Sequence, residues 1–189
     1  MDKIFTDLKL TIAAGVALAL VLGGWFYSHG SDPQAIWLGA FQWLHVFFGI
    51  TWIGLLYYFN FVQIPTMPAI PAELKPGVSK YIAPKALFYF RWAAAFTVLT
   101  GLILAWLYGE LQDALMFRAP AQLIGVGMYL ALIMAANVWF VIWPNQQRAL
   151  GLVAADDAAK AKSARIAMLA SRTNTLLSIP MLLAMTNYR

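Results

Sequence analysis

The sequence predicts an all-α integral membrane protein: a single bundle of about five transmembrane helices over residues 1–189, with its N-terminus in the cytoplasm. Three observations predict it. The chain is 62% hydrophobic and 11% charged, whereas soluble domains run near half apolar and a quarter charged. Five stretches approach the roughly twenty apolar residues that cross a bilayer. Lysine and arginine also concentrate in every second loop, the pattern of a chain crossing a membrane repeatedly.

The first span runs from about residue 10 to 27. Asp2, Lys3, Asp7 and Lys9 precede it, and no small-residue cleavage site follows, so it reads as a retained helix rather than a signal peptide. The second, about 36–63, is longer than a bilayer needs and must tilt or project. Pro65, Pro68, Pro71, Pro76 and Pro84 follow. Proline bars helix, so this loop is expected to be stiff and extended. The third and fourth spans cover about 86–108 and 122–143. Ala149 to Lys162, rich in alanine and charge, is expected to lie on the membrane surface as an amphipathic helix. The fifth span, about 164–187, begins with Arg165 and Arg172, becomes apolar from Leu176, and is expected to break at Pro180. Small residues at four-residue spacing (Gly15, Ala19, Gly23; Thr97, Gly101, Ala105; Gly127, Ala131, Ala135) allow close helix contact.

Loop charge sets the orientation. Lys3 and Lys9, then Lys75, Lys80 and Lys85, then Arg148, Lys160 and Lys162 mark one side. Residues 28–35 carry no lysine or arginine, and residues 109–121 carry Arg118 beside Glu110 and Asp113. Basic loops stay cytoplasmic, so the N-terminus is inside and, after five spans, the C-terminus is outside. The same placement explains the formal charge of +5 without nucleic acid. The absence of cysteine excludes disulfides, iron–sulfur clusters and thiolate sites.

His45 is one of two histidines and lies inside the second span. An ionisable side chain at membrane depth faces a protein interior, a cavity or a cofactor. Helical spacing puts Gln42, Gly49, Trp52, Leu56 and Gln63 on its face, with Asn60 slightly off the line. Two readings follow. Imidazole is the commonest protein ligand of haem iron, and Gly49 removes bulk where a flat macrocycle would approach. Alternatively His45 hydrogen-bonds a neighbouring helix. For a second axial ligand the sequence offers Met128, Met134 or none. His29 would have to dip about 13 Å along the helix axis to share an iron with His45.

A second polar set gathers at the cytoplasmic ends: Asn60, Gln63, Arg91, Asn137, Arg172, Asn174 and Ser178. It reads either as a pocket for an anionic group, held by Arg91 and Arg172, or as snorkelling arginines with an amide network that glues helices together. Trp25, Trp37, Trp106 and Trp143 suit an interfacial aromatic belt; Trp52, Trp92 and Trp139 lie deeper. The acidic residues sit in loops or at the N-terminus, which argues against a carboxylate proton relay.

Two stretches resemble the membrane domain of the bacterial membrane-bound urate oxidases. One is residues 43–63, WLHVFFGITWIGLLYYFNFVQ; the other is residues 170–181, ASRTNTLLSIPM. The first resembles, more loosely, the small helical membrane proteins that bind haem b and oxidise protoporphyrinogen. In those an intramembrane histidine followed by tryptophan and glycine marks the haem site, matching His45, Trp52 and Gly54. The resemblance implies haem b on His45, with Gly49 and Trp52 beside it and Arg91 or Arg172, with Asn174, near the propionates. It also implies a bacterial inner-membrane location and membrane-protein partners in a redox complex. Urate oxidases continue into a cytochrome c domain, but this chain has no Cys-x-x-Cys-His motif. Three functions stay open: a haem b accessory or electron-transfer subunit, a urate- or porphyrin-type oxidase using a separate electron acceptor, and a structural subunit without cofactor.

Overall fold

A computed structural model describes residues 2–27 and 32–187. These residues are helical almost throughout and include no strand. The helices are α1 (Leu8–Tyr27), α2 (Pro33–Tyr57), α3 (Ala83–Leu107), α4 (Leu111–Leu115), α5 (Gln122–Asn137), α6 (Trp143–Ala149) and α7 (Asp157–Thr186). Five helical stretches are long and apolar enough to cross a membrane: Leu8–Trp25, Pro33–Ala69, Lys75–Leu107, Gln122–Ala149 and Asp157–Thr186.

The chain divides into two compact units, Met1–Ala40 and Phe41–Arg189. In the first, α1 meets the opening turns of α2, where the Tyr27 hydroxyl occupies the space a side chain at position 39 would take. Glycine there is what lets the two helices approach.

The second unit is a helical bundle around α7, which packs along α5 and α6. Its core holds Trp52, Leu56, Phe90, Met134 and Val138, each at most 1% exposed. The ridge on α5 explains the closeness of α7: a Cβ on Gly127 would stand 3.0 Å from the Ala184 Cβ. Thr97, Thr173, Thr175 and Thr186 each return their hydroxyl to the carbonyl four residues back, so they bring no unpaired donor into an apolar setting.

The prolines do not clear the helix away as expected. Short helical pieces, Ile64–Thr66, Met67–Ala69 and Lys75–Gly77, occupy the loop expected to be extended. The reason is local. Proline lacks a donor and collides with the carbonyl four residues back. Ahead of Pro65, Pro84 and Pro144 the chain widens into π turns (Tyr58–Gln63, Val78–Ile82, Val138–Ile142). There Ile64, Ala83 and Trp143 donate five residues back, to Phe59, Val78 and Val138. The wider turn accommodates the ring, and the helix continues.

Two further expectations change. Ala149–Lys162 is not one surface helix. The segment turns at Gly151 (φ 72°), where Leu152 and Gly151 donate back to Gln147 and Arg148, the glycine-terminated helix end. Asp156 then caps α7, its carboxylate accepting from the Ala159 amide at 2.7 Å. Nor does Pro180 break the fifth helix; α7 runs through it for 30 residues.

Candidate functional site

The site starts from a run on α3, Thr97-Val98-Leu99-Thr100-Gly101. The His45 ring, arriving from α2, places Nδ1 2.9 Å from the Thr97 carbonyl oxygen. A carbonyl only accepts, so Nδ1 carries the proton and donates. The Thr100 hydroxyl lies 3.4 Å from the same nitrogen while donating to the Phe96 carbonyl at 2.6 Å. In the neutral ring this leaves the lone pair on Nε2, which has no hydrogen-bond partner among the described residues. The arrangement fixes both tautomer and ring orientation, as the outer partner of a ligating histidine does.

Gly101 makes the contact sterically possible. A Cβ there would stand 2.7 Å from His45 Cε1 and 3.0 Å from Nδ1. The imidazole occupies the space a side chain would fill. A Gly101→Ala variant is expected to push the ring off the Thr97 carbonyl and to destabilise the protein by about 1–3 kcal/mol, the usual cost of overpacking. Thermal unfolding in detergent measures it, and a variant as stable as wild type contradicts the stated contact.

Gln42, His45, Gly49 and Trp52, one face of α2, form a wall of a cavity of about 570 Å³, within the range of small-molecule and cofactor sites. Thr97, Gly101 and Ala105 of α3 face it, with Met128 and Ala131 of α5 and Met181 and Met185 of α7. The lining is largely apolar: besides His45, Thr97 and Thr186, its polar groups gather towards the end opposite the lysine-rich loops. There Gln42, Tyr108 and Glu110 contribute, and the Tyr108 hydroxyl donates to Gln42 Oε1 at 3.3 Å. Trp52 is fully buried, and its Nε1 has no acceptor among the described residues. A buried donor left unpaired costs about 1–3 kcal/mol. Gly49 is less constrained than Gly101: a Cβ there would meet Thr97 Cγ2 at an ordinary 3.9 Å.

The structure thus brings His45, Gly49 and Trp52 onto one cavity. Arg91, Arg172 and Asn174 lie outside its wall. Arg91 stacks its guanidinium 3.8 Å from the Trp143 ring centroid and 5.4 Å from that of Phe88, a cation–π arrangement. Its carbonyl accepts from Trp139 Nε1 at 3.1 Å. Arg172 is exposed, whereas Asn174, two residues on, is fully buried. Asn174 Nδ2 donates to the Met134 carbonyl at 3.0 Å, and its Oδ1 accepts from Asn137 Nδ2 at 2.7 Å. Asn137 donates as well to the Ala170 carbonyl at 2.9 Å. Asn60 reaches Ser171 Oγ at 2.8 Å, and Tyr57 and Ser178 meet at 3.0 Å. Since Ser178 donates to the Thr175 carbonyl at 2.7 Å, Tyr57 is the donor of that pair. Of the polar set at the lysine-rich end, Asn60, Asn137, Asn174 and Ser178 therefore form a hydrogen-bonded seam between helices, while Gln63 Oε1 and Asn60 Oδ1 have no partner among the described residues and Arg91 and Arg172 stand apart.

Sequence reasoning passed over Thr100 and Glu110 and read Gly101 only as a ridge residue. The signal available was a glycine four residues after Thr97, which opens a helix carbonyl to an incoming side chain. His29 lies outside the described residues.

No curated protein and no solved structure matches the chain. Of the two stretches that carried the resemblance, residues 170–181 fall inside a family match and residues 43–63 do not. Residues 106–188, which carry α4 to α7, match the family model described as Urate oxidase N-terminal.

Proposed function

We propose that the chain is a membrane-spanning subunit of a larger redox assembly in the bacterial inner membrane, holding haem b through His45 Nε2. The membrane reading is supported by the five long apolar helices and by large apolar side chains turned outward along them, such as Ile50, Phe140 and Ile179 at 70%, 79% and 67% exposed. Surfaces of this kind suit a lipid or protein partner. The observation that carries the haem reading is the Nδ1 contact with the Thr97 carbonyl. It leaves a neutral imidazole with one free lone pair on a largely apolar cavity, the donor set that suits haem iron. Gly49 and Trp52 would lie along the macrocycle. Haem b, when bound, supplies a one-electron couple. Arg91 and Arg172 lie outside the cavity wall, so neither would hold the propionates there.

Purified protein is expected to show Soret and α bands on dithionite reduction, and His45→Ala to lose them. Absence of those bands in wild type, or their survival in the variant, would sink the reading.

A second reading, an oxidase of urate that hands electrons to a separate acceptor, is favoured by the match over residues 106–188. Reduction of the bound haem by added urate supports it. A haem that urate leaves oxidised, in a protein co-purifying with a membrane oxidoreductase, favours the accessory subunit.

A further inference from the structure

We propose that Met128 Sδ is the second axial ligand, opposite His45 Nε2; this rests on the haem reading above. Three methionines share the cavity wall with His45: Met128, Met181 and Met185. A thioether is neutral and apolar until it binds, so it can wait in a low-dielectric interior at no charge cost. It is also a known axial partner of histidine on haem iron.

Depth separates the three. Met128 is 7% exposed and clusters with Ala114 and Ala121, against Leu102 and Ala105. On α3, Leu102 directly follows Gly101, where the His45 ring lies, and Ala105 stands one turn further on. Gly101 stands six residues inside the end of α3 at Leu107, and Met128 six residues inside the start of α5 at Gln122. Each is thus about 9 Å along its helix from the end away from the lysine-rich loops. Met181 belongs instead to the main core cluster with Trp52, two helical turns along α2 from His45. Met185 packs against the same cluster as Met128, its methyl against Gly127, but it is only half-buried and stands one residue from the end of α7 at Thr186. Met134 is fully buried and outside the wall.

The test uses haem-loaded full-length protein in detergent. Oxidised wild type is expected to be low-spin, with a near-infrared sulfur-to-iron charge-transfer band. Met128→Leu conserves volume and is expected to turn high-spin, lose that band, bind added imidazole and shift its midpoint potential downward. Met128→His is expected to restore the low-spin state without the sulfur band, which guards against a misfolded leucine variant. Met134→Leu keeps the wild-type spectrum. The assignment is overturned if Met128→Leu retains the sulfur band, or if wild type holds haem in a high-spin state; in that second case haem binding at His45 survives. Wild type without any haem band takes down both readings together.

Discussion

Gly125→Ala is expected to destabilise the bundle by about 3 kcal/mol, the upper part of the overpacking range. The added Cβ would collide with the Ala114 carbonyl oxygen and stand 3.1 Å from the Ala114 carbonyl carbon. These are backbone atoms of α4, and no rotamer change moves them aside. Ala114 is itself fully buried. The segment around it is anchored to α5 by Tyr129, whose hydroxyl donates to the Leu115 carbonyl at 3.0 Å and whose ring stacks on Phe117. The variant must therefore lift α4 off α5 or tilt α5. Gly54→Ala is the control: nothing lies within 4 Å of a Cβ there, and alanine is the better helix former. Thermal unfolding in one detergent compares the two. Equal melting temperatures would mean α4 does not pack on α5 as described.

The second large effect is expected at Asn174, where replacement by leucine removes both of its inter-helix hydrogen bonds. The Met134 carbonyl loses a donor, and Asn137 keeps only Ala170. Single inter-helix hydrogen bonds in membrane bundles average about 0.6 kcal/mol and reach about 1.7. Two bonds lost together at a fully buried position are expected to cost about 2 kcal/mol. Adding Asn137→Leu should cost less than its own single-variant effect, because the two amides share a bond. Strict additivity in this double-mutant cycle would show that the amides do not act as a pair.

These two positions show how differently fold and site were legible. The spans were readable because apolar length and loop charge are local properties, and α1, α2, α3, α5 and α7 fall on the five expected spans. The proline-rich loop was misread because proline's effect depends on the width of the preceding turn. A π turn removes the clash that a rule built on α geometry anticipates. The α7 start was misread for a related reason: alanine and charge suit a surface helix or the first turns of a span equally well, and Gly151 with Asp156 decides where the helix begins.

For the site, helical spacing on α2 was enough to group His45 with Gln42, Gly49 and Trp52. It could not say what faced them. Arg172 and Asn174 looked like one cluster because they are two residues apart, yet a helix turns about 100° per residue and sends them to different sides. Composition and one-dimensional pattern thus determined the helical class, the number of long apolar helices and the face on which the histidine stands. Tertiary structure alone decided which helix carbonyl meets the imidazole, which nitrogen that contact engages, and which residues of α3, α5 and α7 face it across the cavity. Those are distances between residues 52 or more positions apart along the chain, set by how ridges and gaps on separate helices interlock.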